Sequence, residues 1–228
     1  MKRAVVYVLI LILFGTAGFG APFFATITTL ENHALLGTFG GFILPESCYP
    51  NLSLYLETYI IDQASLAEIG LGSGTNTENS IFAGGLGMLN VFPVGFVFYE
   101  FHNESLDLFG KASLGPLVYP CCCFCCFIWN TEVIASLKTD FILANIWLKD
   151  VFLPDLAYSR IDANIGCFKC CEPLPILFGI DVEKINSTQR IYTYLGTLLE
   201  FPNITLVPKL YLNPCCNAGI GFNLSAQF

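Results

Sequence analysis

Hydrophobic and polar residues alternate without a break over the last twelve positions of this chain. The small or polar positions are Asn217, Gly219, Gly221, Asn223, Ser225 and Gln227, and the apolar positions are Ala218, Ile220, Phe222, Leu224, Ala226 and Phe228. Successive side chains of a strand point to opposite faces, so the pattern predicts a strand with one apolar and one polar face. Its length matches the roughly 9–11 residues that a tilted strand needs to cross a bilayer.

Similar alternation along the rest of the chain predicts an all-β fold. No stretch keeps an apolar stripe with a helical period over three turns. From about seventeen residues per strand and link, we expect ten to twelve strands in the wall of a barrel. The predicted strands cover residues 33–44, 51–61, 64–72, 80–90, 94–101, 104–115, 130–138, 141–149, 156–166, 176–184, 189–200, 203–212 and 217–228, with a further strand over 23–30.

The charged residues of the alternating strands fall on the polar side. On a lipid-facing side, an Arg or Lys near the middle of the bilayer would cost about 2–4 kcal/mol. The sorting therefore fits a transmembrane barrel, in which these residues face the lumen, although a β-sandwich with one wet face per sheet would sort them in the same way. The predicted lumen-facing residues are Asp107, Lys111, Glu132, Lys138, Arg160 and Asp162.

One uncharged segment, Ile81 to Tyr99, is long enough to resemble a transmembrane helix by hydropathy. It contains Pro93 and several glycines, which weaken or break helices. We therefore predict two strands joined near residues 90–93, and we keep a helical membrane protein as a third hypothesis.

The first twenty residues have the order of a secretory signal peptide. Lys2 and Arg3 precede the apolar run Ala4 to Phe14, and small residues follow up to Gly20. We expect export with cleavage after residue 20, which leaves residues 21–228 as a single domain. Charged residues make up only 12% of the chain, about half of the usual quarter, and this favours a surface that meets lipid. The net charge of −8 argues against a nucleic-acid partner.

Eleven cysteines fall at the ends of predicted strands. In an exported protein they favour disulfides. Metal binding is an alternative, because Cys167-x-x-Cys170 has the spacing of half a zinc or iron–sulfur site. A third interpretation is that they pack as small hydrophobic residues at a barrel rim. Counting strands places Cys126 and Cys167 at opposite ends. The metal candidates are Cys121, Cys122, Cys125, Cys167, Cys170 and Cys171.

The alternating terminal strand that ends in Phe228 resembles the closing strand of bacterial outer-membrane β-barrels, which the barrel-assembly machinery reads. The resemblance covers this strand alone. It implies an antiparallel up-and-down transmembrane barrel, located in the outer membrane of a diderm bacterium, with the lipid bilayer and the assembly machinery as partners.

The expected role is a small pore or a structural component of the envelope, with no cofactor. No enzyme activity is expected, because the chain has neither a Gly-x-Ser-x-Gly elbow nor a His-Glu-x-x-His motif. The alternative is a secreted Cys-rich β protein that binds metal or is cross-linked by disulfides at the cell surface.

Overall fold

Antiparallel strands joined by short turns account for nearly all of the chain that the computed structural model describes, namely residues 22–30, 34–43, 52–61, 64–117, 126–167, 175–202, 204–212 and 218–227. The strands are β1 (Pro22–Leu30), β2 (Ala34–Ile43), β3 (Leu52–Ile61), β4 (Ala64–Asn76), β5 (Ser80–Leu89), β6 (Phe92–His102), β7 (Leu106–Leu117), β8 (Cys126–Lys138), β9 (Ile142–Leu153), β10 (Leu156–Cys167), β11 (Ile176–Ile185), β12 (Thr188–Thr197), β13 (Leu199–Phe201), β14 (Ile204–Leu212) and β15 (Ala218–Gln227).

The pairing of these strands returns to its starting point. Each strand from β1 to β12 pairs with the next one, β12 pairs with β14, β14 pairs with β15, and β15 pairs with β1. The short strand β13 pairs with β14 beside this cycle. Each strand of the cycle has a neighbour on both sides, but the paired register covers only two residue pairs between β1 and β15 and four between β12 and β14. The expected all-β, antiparallel up-and-down fold is confirmed.

The cycle contains fourteen of the fifteen described strands, which is more than the ten to twelve expected. The expectation assigned too many residues to each link, whereas several described turns hold only two or three residues. The strands predicted individually, including the further one at 23–30, correspond one to one with the strands of the cycle. Fourteen also satisfies the even strand number of bacterial single-chain barrels.

Up-and-down order gives the sheet two rims. The turns at residues 90–91, 154–155 and 186–187 lie at one edge, which we call the first rim. The turns at residues 77–79, 103–105 and 139–141 lie at the other edge, which we call the second rim. β8 begins with Cys126 at the first rim and β10 ends with Cys167 at the second rim, so the prediction that these two cysteines lie at opposite ends is confirmed.

Two asparagines at the first rim fasten neighbouring hairpins together. Asn90 and Asn186 have φ angles of 53° and 52°, a left-handed conformation that asparagine tolerates better than most residues. The Asn90 side-chain oxygen accepts a hydrogen bond from the backbone N–H of Ala67 at 2.7 Å. The Asn186 oxygen accepts one from Ala157 at 2.8 Å. Each two-residue turn is therefore tied to the strand beside it.

The uncharged segment from Ile81 to Tyr99 forms the hairpin of β5 and β6, with its turn at residues 90–91. The prediction of two strands is therefore confirmed. No helix long and apolar enough to cross a membrane occurs within the described ranges.

The two faces of the sheet differ in exposure and in chemistry. Along β6, residues at even positions from Val94 to Glu100 are buried, and the odd positions between them are exposed. The same alternation runs along β7, β10 and β11. We call these the buried face and the exposed face. The exposed face carries large apolar side chains, including Leu71, Leu86, Leu114, Ile146, Ile165, Phe178, Ile191, Leu195 and Ile220.

Glycines line the buried face where β4 pairs with β5. Gly72 lies opposite Gly85, and Gly70 lies opposite Gly87. A Cβ atom added to Gly72 would overlap the backbone carbonyl oxygen of Gly84, and one added to Gly85 would overlap that of Leu71. The two strands can approach this closely only without side chains, so the glycines permit a sharp bend of the wall.

We predict that Gly72→Ala destabilises the barrel by about 1–3 kcal/mol, because the new methyl group forces the β4 and β5 backbones apart. Gly110→Ala is the matched control, since a Cβ there would meet nothing within 4 Å. Urea unfolding of the reconstituted protein measures both variants. Equal stability of the two variants would contradict the bend.

Candidate functional site

The structure brings four of the six predicted lumen-facing residues onto the buried face. Lys111, Glu132, Arg160 and Asp162 are between 1% and 4% exposed. The other two lie at the second rim and are exposed. Asp107 contacts His102, and Lys138 forms an exposed ion pair with Glu200 at 2.7 Å. The difference follows from position, because both exposed residues lie at or next to the strand ends.

Glu68 is the centre of one group on the buried face. Lys111 Nζ and Asn130 Nδ2 each donate to its carboxylate at 2.7 Å, and Ser113 Oγ also donates to it. β4 is separated from β7 by two strands in the sheet order. The contact between Glu68 and Lys111 therefore crosses the enclosed side and holds distant parts of the wall together.

Arg160 and Asp181 form the second group. Arg160 Nε donates to Asp181 Oδ1 at 2.8 Å, and Nη2 donates to the other oxygen, so the pair is bidentate. Tyr211 Oη also donates to Asp181 at 3.2 Å. The guanidinium lies over the ring of Trp147, with Cζ 4.8 Å from the ring centroid. Both partners of this pair have fully buried side chains.

Asp162 forms a third group with residues from two other strands. Tyr194 Oη donates to its carboxylate at 2.5 Å, and Lys209 Nζ forms an ion pair with it. Lys209 Nζ also lies 4.3 Å from the centroid of the Tyr194 ring. Gly179 carries no side chain where this ring packs, because a Cβ atom there would overlap the ring. The Gly179 backbone thus provides the space in which Tyr194 reaches Asp162.

Glu132 is the carboxylate partner of the fourth buried cation, Lys149. Trp147 Nε1 donates to Glu132 at 2.7 Å, and Lys149 Nζ donates to its other oxygen at 3.2 Å. Buried charges are tolerated when they are paired and hydrogen-bonded. Each cation buried on the described part of the wall, namely Lys111, Lys149, Arg160 and Lys209, has a carboxylate partner.

An apolar cluster lies between these ion pairs and the first rim. Leu66, Leu89 and Val94 come from the strand ends of β4, β5 and β6, and they belong to one cluster with Ile128 and Val151 from β8 and β9. These side chains are at most 4% exposed. The described wall from β4 to β10 therefore packs against itself on its enclosed side, and water is excluded from this layer.

His102 lies at the end of β6 at the second rim, between two carboxylates. Its Nδ1 is 2.8 Å from Asp107 Oδ1, and its Nε2 is 2.5 Å from Glu100 Oε1. The imidazole therefore bridges two carboxylates at the end of this strand.

An open polar cleft lies beside this histidine at the second rim. It is lined by Glu104, Ser105, Lys138, Thr139 and Asp140, which belong to two neighbouring turns. The backbone N–H of Lys138 donates to the Ser105 carbonyl at 2.8 Å and holds the two turns together. The cleft carries both signs of charge and has no buried polar group among its lining residues.

Sequence reasoning missed several members of the buried network. Lys149 and Asp181 occupy the buried positions of their strands, as alternation requires. They were overlooked because the residues around Lys149 in β9 and around Asp181 in β11 are apolar on both faces, which hides the period of two. Glu68 and Lys209 gave no pairing signal, since their partners are 43 and 47 residues away in the chain.

The remaining predicted residues fall partly outside the described chain. Cys121, Cys122, Cys125, Cys170, Cys171 and Phe228 are not among the described residues, and neither is the predicted signal peptide. Ala218, Ile220, Phe222, Leu224 and Ala226 lie in β15, which pairs with β14 and β1 as a closing strand. Ile220 is 74% exposed. Within the described ranges, no three His, Cys, Asp or Glu residues lie close enough to hold a metal ion.

No protein-family model matches this chain, and no curated protein matches it. Several solved structures do match, and two of them are forms of OmpT. One is a loop L8 deletion mutant of OmpT, an outer membrane protein of Vibrio cholerae, with 8% identity, a TM-score of 0.42, and coverage of 90% of this chain and 96% of that chain. The other is the trimer form of OmpT folded in vitro, with 9% identity, a TM-score of 0.35 and the same coverage of both chains.

One expectation from the sequence is corrected here. The missing Gly-x-Ser-x-Gly and His-Glu-x-x-His motifs led us to expect no enzyme activity. These motifs belong to other folds. Their absence does not exclude enzyme activity in such a chain, and the expectation is withdrawn.

We predict that Arg160→Met costs about 3–5 kcal/mol of unfolding free energy, because it leaves the Asp181 carboxylate buried without its cation. The double variant Arg160→Met with Asp181→Leu should recover most of this loss. Lys138→Met is the control and should cost less than about 1 kcal/mol, since its ion pair is exposed. Urea unfolding of the reconstituted protein measures all three variants. If Arg160→Met is as stable as the double variant, this interpretation is wrong.

Proposed function

We propose that this chain is a β-barrel of the bacterial outer membrane and that it serves as a structural component of the envelope rather than as an open pore. The observation that carries the proposal is the inverted placement of side chains. Ion pairs lie on the buried face, and large apolar side chains lie on the exposed face.

The exposed face supports the membrane part of the proposal. Leu86, Ile165 and Phe178 are 77%, 56% and 60% exposed, and similar residues recur on neighbouring strands. In water, an apolar surface of this extent would drive aggregation, because monomeric soluble proteins rarely expose contiguous apolar patches of more than a few hundred Å². In hydrocarbon the same surface is well solvated, and the long antiparallel pairings from β1 to β12 satisfy backbone groups that lipid cannot.

The buried network supports the structural role. In an open channel, inward charges would be in contact with water, whereas Lys111, Lys149 and Arg160 have side chains with no exposed surface. Contacts between non-neighbouring strands and the apolar cluster near the first rim fill the enclosed side along the described wall from β4 to β14. Beside the described strands from β4 to β14, this packing leaves ions no aqueous path.

The route to the membrane is part of the proposal. Export would use residues 1–20 as a cleaved signal peptide, and the barrel-assembly machinery would read the C-terminal strand. Each disulfide would join cysteines that lie at the same rim. Cys126 and Cys167 are separated by nearly the full length of β9, roughly 36 Å, whereas bridged Cα atoms are about 4–7 Å apart.

The experiment is to reconstitute the full chain into liposomes that contain a small trapped dye. We expect the protein to float with the liposomes after centrifugation and the dye to leak no faster than from protein-free liposomes. A porin reconstituted in parallel is the positive control. Failure to float would refute the membrane assignment, and rapid leakage from floated liposomes would refute the structural role.

A further inference from the structure

A polar row crosses the exposed face close to the first rim. Thr131, Asp150, Ser159, Lys184 and Gln189 are successive register partners on the five neighbouring strands β8 to β12. Each of them has the position parity of the exposed face, and Lys184 and Gln189 are themselves exposed. A charged row on an otherwise apolar surface needs a polar environment.

The row is organised by hydrogen bonds around Asp150. Trp129 Nε1 donates to one carboxylate oxygen of Asp150 at 2.5 Å, and Ser159 Oγ donates to the other at 2.5 Å. The Trp129 ring stacks on Phe152 with a centroid distance of 4.6 Å and an interplanar angle of 17°. An aromatic pair is thus held beside a fixed carboxylate on the exposed face.

The exposed face is apolar on the side of the row that faces the second rim. The next row of register partners consists of Val133, Leu148, Ile161, Val182 and Ile191, and the rows beyond it remain largely apolar. At the second rim itself, Phe141 and Ile142 are 54% and 44% exposed. On these strands the aliphatic rows therefore continue from the polar row to the second rim, whereas the first-rim side of the row carries the aromatic residues Phe127, Trp129 and Phe152.

The height from the polar row to the second rim is close to the thickness of the apolar band of a membrane barrel. From Thr131 to the second-rim turn at Thr139, the strand advances roughly 27 Å along its axis. At a strand tilt of about 40°, this corresponds to about 20 Å of height, close to the apolar band of about 25 Å in barrels of this kind. The polar row then lies at the upper edge of that band, where a bilayer passes from hydrocarbon to headgroups.

We propose that this row is the docking site for the phosphate groups of lipid headgroups, and the inference rests on the proposed membrane function. Lys184 Nζ and Gln189 Nε2 donate to lipid phosphate oxygens. Asp150 offers no donor to a phosphate, and its carboxylate is held instead by Trp129 Nε1 and Ser159 Oγ. Trp129 lies at the boundary with the acyl chains, where amphipathic rings are favoured.

Fluorescence quenching tests the depth of the row, since the chain has only two tryptophans and Trp147 is buried on the other face. The reconstituted protein is compared with Trp129→Phe in bilayers that carry a nitroxide either near the headgroup or near the end of the acyl chain. The emission of Trp129 is the difference between the unmodified protein and Trp129→Phe. We expect the headgroup-side label to quench this emission at least about twofold more than the deep label does. Ile146→Trp in the Trp129→Phe background is the matched deep control and should show the opposite order.

The outcomes separate the two proposals. Stronger quenching of Trp129 by the deep label would overturn the docking row while leaving the barrel in the membrane. If neither label quenches Trp129 or the tryptophan introduced by Ile146→Trp, the membrane assignment itself is wrong. Solid-state NMR of the ¹⁵N-lysine-labelled protein tests the phosphate contact directly. We expect a dipolar contact between a lysine Nζ and lipid phosphorus that is lost in Lys184→Met, and an unchanged signal in that variant would overturn the assignment.

Discussion

A charge that is taken out of water needs a partner, and the enclosed side of this protein is organised by that constraint. Glu68, Asp162 and Asp181 are each held by a cation and at least one further donor, from strands that are not all neighbours in the sheet. Removing one partner would leave a buried charge uncompensated, which is far more costly than the pair itself. The network therefore fixes which parts of the wall face each other.

The bend of the wall and the network depend on each other. Lys111 reaches Glu68 across two intervening strands only if the sheet curves strongly between β4 and β7. The glycines of the β4–β5 pair allow that curvature because their backbones approach without side chains. Gly179 has a different function, because it leaves space for the Tyr194 ring. Small residues at these positions and charged residues at others thus form one packed interior, while the apolar side chains are left on the outer surface.

The fold was largely predictable from the sequence, whereas the network was only partly so. The period of two located the strands, and it placed Lys111, Glu132, Arg160 and Asp162 on one side, because alternation is a local property of a strand. The partners Glu68 and Lys209 were not predictable, since long-range pairing depends on curvature that local alternation does not encode. The strand number was underestimated because two-residue turns such as the one at Asn90 shorten each repeat.

The central claim is that hydrocarbon contacts the exposed face, and Ile180→Arg tests it most directly. Ile180 is 43% exposed and lies in the middle of the apolar rows, midway between the polar row and the second rim. On a surface in contact with water, this change should stay within about 0.5 kcal/mol. In lipid we predict a loss of about 2–4 kcal/mol in the unfolding free energy of the reconstituted barrel, while Gln189→Arg near the first rim stays close to the unmodified protein. If Ile180→Arg folds as stably as Gln189→Arg, the exposed face does not lie in a membrane.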